Sequence, residues 1–127
     1  MPVLLDTHAV AWAIRDDPAL SEGARRAIAK ADAVLISPAS FHEIGQKVRV
    51  GRWPEMAPHV ETLPERLARD GALVAPLTPA IALRASLMDW RHRDPFDRLI
   101  AATAEITGAQ LVSRDAVFDG LPIRRVW

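Results

Sequence analysis

Short apolar runs of strand length recur along this chain, and most lead within a residue or two into a helix signal; that alternation restricts the fold more than any other feature. "PVLL" (2–5) passes through Asp6 into the helical "THAVAWAI" (7–14), which Asp17-Pro18 then breaks. Ser21 is placed to cap "EGARRAIAKA" (22–31), and "AVLIS" (33–37) is the second strand. "PASFHEIGQKVRV" (38–50) is helical, with Phe41, Ile44, Gly45 and Val48 on one face and Gly51 as its stop. After an irregular stretch over 52–58, "HVETLPERLARD" (59–70) is helical in part, with Pro64 as a break, and "ALVAPL" (72–77) is the third strand. Thr78 as N-cap and Pro79 at the first helical position start "AIALRASLM" (80–88). A helix in "HRDPFDRLIAATA" (92–104), then strands "AQLVS" (109–113) and "IRRVW" (123–127), complete the order.

Strands joined through helices pair in parallel, because a parallel pair needs a long crossover connection. The expectation is one α/β domain over residues 1–127 with a largely parallel sheet. At 127 residues and 50% hydrophobic content, the chain is long and apolar enough for a single core.

Composition removes several function classes. Sixteen basic residues balance sixteen acidic ones, so any nucleic-acid contact has to come from a local patch and nothing favours an anionic membrane. Without cysteine there is no disulfide and no thiolate zinc site, which suits a cytoplasmic location. Asp6 and His8 interrupt the N-terminal apolar run well before the roughly 18 residues of a membrane span, so no membrane role is expected.

The architecture gathers scattered acids. In a parallel α/β sheet helices start at the carboxyl edge and run back to the other. Asp6 follows strand one, Asp115 comes two residues after strand four, Glu43 lies about one turn into the helix after strand two, and Asp97 sits in the first turn of the helix before strand four. All four therefore belong to the carboxyl edge, where open α/β sheets bind ligands at the point of strand-order reversal. Asp32, Asp70 and Glu105 fall at the opposite edge.

Each acid also has a local explanation. Asp94 before Pro95 is N-cap grammar, and Asp97 at the third helical position either supports that cap, by roughly 0.3 to 1 kcal/mol, or ligates a metal. Asp6 can cap helix one, Glu43 can pair with Lys47 one turn on, and Asp115 can hold a turn. Together these roles leave the shared edge unexplained. Converging carboxylates repel one another and lose water, and a divalent cation relieves both costs. Oxygen-only ligands favour Mg²⁺ or Mn²⁺ over zinc, which supports phosphoryl transfer or phosphodiester hydrolysis.

"LLDTHAVAWAI", "SFHEIGQKVRVGRW", "HRDPFDRLIAATA" and "LVSRDAVF" resemble, in order, the signature blocks of PIN-domain proteins, specifically the VapC-type toxins of bacterial toxin–antitoxin pairs. The resemblance runs from Val3 to Trp127, and "HRDPFDRL" is its most specific block. It implies a three-layer α/β/α PIN-like fold, a five-stranded sheet in the order 3-2-1-4-5, and a metal-dependent endoribonuclease leaving a 5′-phosphate and a 3′-hydroxyl. Asp6, Glu43 and Asp97 match the family's three core acids and Asp115 its variable fourth, as catalytic and metal-binding residues. Thr7 and Ser113 match small hydroxyl positions that support the site through a carboxylate or a water. His42 departs from the pattern, since related sequences often carry Trp before the matching Glu. Glu43 is open to two roles, ligand or base.

Arg98, Arg114, Lys47 and Arg93 stand near these acids in sequence and are candidate RNA phosphate contacts, Arg98 foremost. The resemblance further implies a homodimer, and a cognate VapB-like antitoxin lying in a groove near the active site. Trp12, Trp53, Phe41 and Trp90 are candidates for lining that groove or an interface, with Trp12 better suited to core packing. Two other readings have weaker sequence support. A phosphatase of the haloacid dehalogenase type needs a second Asp where His8 stands, and a phosphate-accepting receiver needs an Asp after strand three, which "ALVAPLT" lacks. A catalytically silent PIN scaffold, binding RNA or protein, would not need all four acids.

Overall fold

β1 (Val3–Leu5) is buried on both faces, and its alternation assigns one layer to each. Val3 and Leu5 enter a core with Val10, Ile14, Leu20, Ile44, Met56 and Leu67, while Leu4 enters a second core with Ile81, Ala85, Ile100 and Phe118. β2 (Val34–Ile36) and β4 (Gln110–Val112) alternate in the same sense: Ile36 and Val112 join the first core, Leu35 and Leu111 the second. A period of two thus sorts side chains into the two outer layers of an α/β/α sandwich. The structure, a computed structural model, describes residues 1–127.

All four strand pairings are parallel, in the order β3-β2-β1-β4-β5. Val3 registers with Val34 on one side and Gln110 on the other; Leu5 registers with Ile36 and Val112. The edge strands β3 (Leu73–Val74) and β5 (Arg125–Val126) are only two residues long, shorter than the apolar runs suggest. Leu73 and Val74 are exposed, so no covering layer extends that strand.

α1 (Thr7–Ile14), α2 (Glu22–Lys30), α3 (Pro38–Arg49) and α4 (Leu63–Arg69) contribute to the first core; α5 (Pro79–Leu87) and α6 (Pro95–Thr107) contribute to the second. The caps read from sequence form: Ser21 Oγ accepts from the Ala24 N–H at 3.0 Å and Thr78 Oγ1 from the Ile81 N–H at 3.2 Å. Two local expectations are corrected. Pro64 begins α4 rather than breaking a helix, because a proline in the first turn removes only an N–H with no partner there. Gly45 is exposed, so the buried face of α3 is built on Ala39, Ser40, Glu43 and Ile44, with Phe41 and Val48 packed against it. No helix is long and apolar enough to cross a membrane.

Gly23, in the first turn of α2, is required by a close approach. A Cβ there would lie 2.7 Å from the Trp127 carbonyl oxygen. Gly→Ala in a helix ordinarily gains up to ~1 kcal/mol. Here Gly23→Ala is expected to lose about 1 to 3 kcal/mol in urea denaturation through overpacking.

Candidate active site

Asp6 leaves β1 at the point where the strand order reverses between β1 and β4. Its N–H donates to the Val112 carbonyl at 3.0 Å, which holds it beside β4. Its carboxylate, only 8% exposed, accepts from the Thr7 N–H at 2.8 Å and from the Ser113 hydroxyl at 2.7 Å. Ser113 Oγ in turn accepts from the Asp115 N–H at 3.0 Å, so one buried hydroxyl ties the ends of β1 and β4 together. The Thr7 hydroxyl, expected near a carboxylate, instead bonds Ser40 Oγ at 3.1 Å; Thr7 reaches Asp6 through its backbone.

Glu43 lies one turn into α3 and is 6% exposed. Its Oε2 is 2.9 Å from Lys47 Nζ, while Oε1 is buried with no hydrogen-bond partner. Asp97 is the third residue of α6. Asp94 caps that helix, accepting from the Phe96 N–H at 2.9 Å and the Asp97 N–H at 3.1 Å. The Asp97 carboxylate is thereby left free of capping, and its Oδ2 meets His92 Nε2 at 2.6 Å. The His92 ring rests against Trp90 at 4.9 Å. Where α3 meets α6, the departing residue His42 packs on Phe96 at 5.4 Å.

Asp6, Glu43, Asp97 and Asp115 all line one cavity of about 570 Å³. Its remaining walls include Asp94, His8, Trp12, Lys47 and Arg114. Four separate segments thus deliver carboxylates to one place, as their positions at the carboxyl edge predict. By contrast, Glu105 pairs with Arg84 at 2.9 Å and Asp32 with the N-terminal amine of Met1, both away from this cavity. The local roles are fulfilled as well: Asp115 accepts from the Val117 N–H at 3.0 Å, and Lys47 is the i+4 partner of Glu43.

The electrostatics follow from this crowding. Burial pushes the Asp97 carboxyl up to about 6, against the opposing hydrogen bond from His92 and with added repulsion from Asp6, Asp94 and Glu43. Burial likewise raises Asp6, opposed by its bonds from Ser113 and Thr7. His8 keeps an exposed surface, yet partial desolvation of its ring among the cavity walls and the Lys47 ammonium both lower it, which favours a neutral imidazole.

A divalent cation suits this donor set. The donors are all carboxylate oxygens, one of them buried and orphaned, and two of the acids are raised by burial with neighbouring carboxylates adding to it. No three of the acids are gathered tightly enough to make a closed ligand cage. An open site with one or two direct carboxylates and several waters is the arrangement Mg²⁺ favours.

Of the four candidate phosphate contacts, Lys47 and Arg114 line the cavity; Arg93 is exposed and does not. Arg98 requires a correction. Its guanidinium donates to the carbonyls of Ala85, Ser86, Met88, Trp90 and His92 at 2.6 to 3.4 Å, which occupies all five of its N–H donors. It clasps the α5–α6 connection and has no donor left for phosphate. Trp53 is buried in the first core, whereas Trp12 is half-buried at the cavity. Sequence reasoning overlooked His92 and Ser40. His92 stands five residues before Asp97 in the same block, a spacing that signals contact only once Arg98 is known to fold the connection back.

A family model of the PIN domain matches residues 3–123. Ribonuclease VapC22 of Mycobacterium tuberculosis is 34% identical over 114 residues, which cover 89% of this chain and 86% of that relative. Among solved structures, VapBC2 from Rickettsia felis, bound to a DNA fragment from its promoter, superposes with a TM-score of 0.69 at 18% identity, covering 98% of this chain and 97% of the other. VapC20 of M. tuberculosis, described as a sarcin-ricin loop cleaving toxin, superposes with a TM-score of 0.62 at 18% identity, covering 95% of each chain. Those two structures speak to the fold, while the family match and the VapC22 identity reach the sequence itself. With its parallel 3-2-1-4-5 sheet and its acids at the switch point, the chain belongs to the PIN-domain family, among relatives of the VapC type.

Proposed function

We propose that this chain is a Mg²⁺- or Mn²⁺-dependent endoribonuclease of the VapC toxin type, acting in the cytoplasm and silenced by a VapB-like antitoxin. The observation that carries the reading is the convergence of Asp6, Glu43, Asp97 and Asp115 on one cavity, with Glu43 Oε1 buried and unpartnered. The ribonuclease name of VapC22 and a structural neighbour described as a toxin-antitoxin complex support it. Exposed leucines on α5, Leu83 and Leu87, supply apolar surface for the proposed homodimer.

Asp6, Asp97 and Asp115 would hold the ion, one or two of them directly and the rest through its waters, with Ser113 fixing Asp6 and His92 fixing Asp97. When bound, the ion supplies Lewis acidity and neutralises charge on phosphate oxygens. Glu43 either adds an oxygen to that set or takes the proton of the attacking water at Oε1, while Lys47 holds Oε2. Hydrolysis breaks the bond between phosphorus and the 3′-oxygen and leaves a 5′-phosphate and a 3′-hydroxyl. Arg114, exposed and lining the cavity, would supply a cation for a phosphate. Pooled cellular RNA incubated with the chain should be cut in Mg²⁺ or Mn²⁺ and remain intact in chelator. Equal cutting in chelator contradicts the proposal.

His92 provides a separate check. His92→Ala leaves Asp97 Oδ2 without its partner and is expected to weaken Mn²⁺ binding roughly 10- to 100-fold. His92→Gln, whose amide N–H has similar reach, should restore most of it in the same titration.

A further inference from the structure

α1 and α3 both begin at the carboxyl edge of the sheet and pack side by side, and each presents a pair of residues four apart to the cavity. On α3 the pair is Glu43 and Lys47; on α1 it is His8 and Trp12. The cavity is therefore acidic at the strand ends and aromatic along the first turns of α1. The His8 ring lies 5.4 Å from Trp12 and 4.9 Å from Trp53, and Trp12 is held from behind by Trp127 at 5.6 Å. Lys47 Nζ sits 5.4 Å from the Trp53 ring, which puts a cation beside the same wall. His8 is exposed and Trp12 half-buried, so both retain surface toward the cavity.

The cavity also extends past the four acids, along His8, Trp12, Lys47 and Arg114. An aromatic wall, its His8 and Trp12 rings tilted 48° to each other, stands beside the acids with Lys47 and Arg114 nearby, which matches the two halves of a nucleotide: a base that stacks and a phosphate that needs a cation.

We propose that His8 and Trp12 form a stacking wall for an unpaired nucleobase next to the scissile phosphate. The inference rests on the nuclease reading, and its test separates the two.

The probes are a labelled 12-residue oligoadenylate and an abasic ribose-phosphate chain of equal length, bound in chelator to the Asp97→Asn protein, so that no ion takes part, and followed by fluorescence anisotropy. The Asp97→Asn protein should prefer oligoadenylate about tenfold. Adding Trp12→Ala should remove that preference, Trp12→Phe should keep most of it, and the exposed-site change His8→Ala should reduce it several-fold without disturbing the core. A tenfold preference that survives both Trp12→Ala and His8→Ala overturns the wall, as does equal weakening of both probes. If wild type cuts RNA but the Asp97→Asn protein shows no base preference, the wall fails while the nuclease reading stands. If wild type neither cuts nor binds RNA, both fall.

Discussion

Asp97→Asn should lower RNA cleavage a hundredfold or more and, in the absence of metal, make the chain more stable at neutral pH. The two effects share one cause. Asp97 is 18% exposed in its side chain and its carboxyl is pushed up to about 6 by burial and neighbouring acids. A carboxyl whose folded value exceeds its unfolded 3.8 is protonated more readily in the folded state, so stability falls as pH rises from about 4 to about 6 and then stays lower. The gap corresponds to about 3 kcal/mol above pH 6. Asparagine removes the charge and keeps the shape. Urea denaturation should therefore show Asp97→Asn more stable than wild type at pH 7.5, by up to that amount, with the difference shrinking at pH 4.5. Loss of cleavage together with loss of stability at pH 7.5 would mean that Asp97 is structural.

Arg98→Ala should be the most destabilising single change in the "HRDPFDRL" block, costing at least about 3 kcal/mol in the same measurement. Five carbonyls, two in the last turn of α5 and three in the α5–α6 connection, would lose a charged donor, and several of these bonds are part-buried. Arg98→Lys should recover little, because an ammonium has three donors and no planar fork to span residues 85 to 92. Since that connection carries His92 to Asp97, Mn²⁺ affinity should fall with stability. A fully stable Arg98→Ala protein that has only lost RNA affinity would restore the phosphate role suggested by sequence.

These cases show where sequence was informative. β1, β2 and β4 are buried on both sides or nearly so, and their unbroken apolar runs mark them clearly; β3 and β5 are edge strands whose length depends on what covers them. The caps at Ser21, Thr78 and Asp94 are local chemistry and were visible in the letters. The gathering of the four acids was also visible, because strand-to-helix order alone assigns an edge to each. Arg98 was misjudged because charge was visible but the fold-back of residues 85 to 92 was not. Thr7 and Ser113 looked alike as small hydroxyls beside acids, yet only Ser113 sends its hydroxyl to Asp6; the helix start turns Thr7 toward Ser40. The strand order and the three layers came with the family resemblance, and the sheet bears them out.

The central claim is that crowded carboxylates make a divalent-cation site, and calorimetric titration of the metal-free chain with Mn²⁺ tests it most directly. Wild type should bind saturably, releasing protons at pH 6 but hardly at pH 8, and Asp6→Asn and Asp97→Asn should each lose that binding while remaining folded. A folded wild type with no saturable binding, or binding unchanged in both variants, would contradict it.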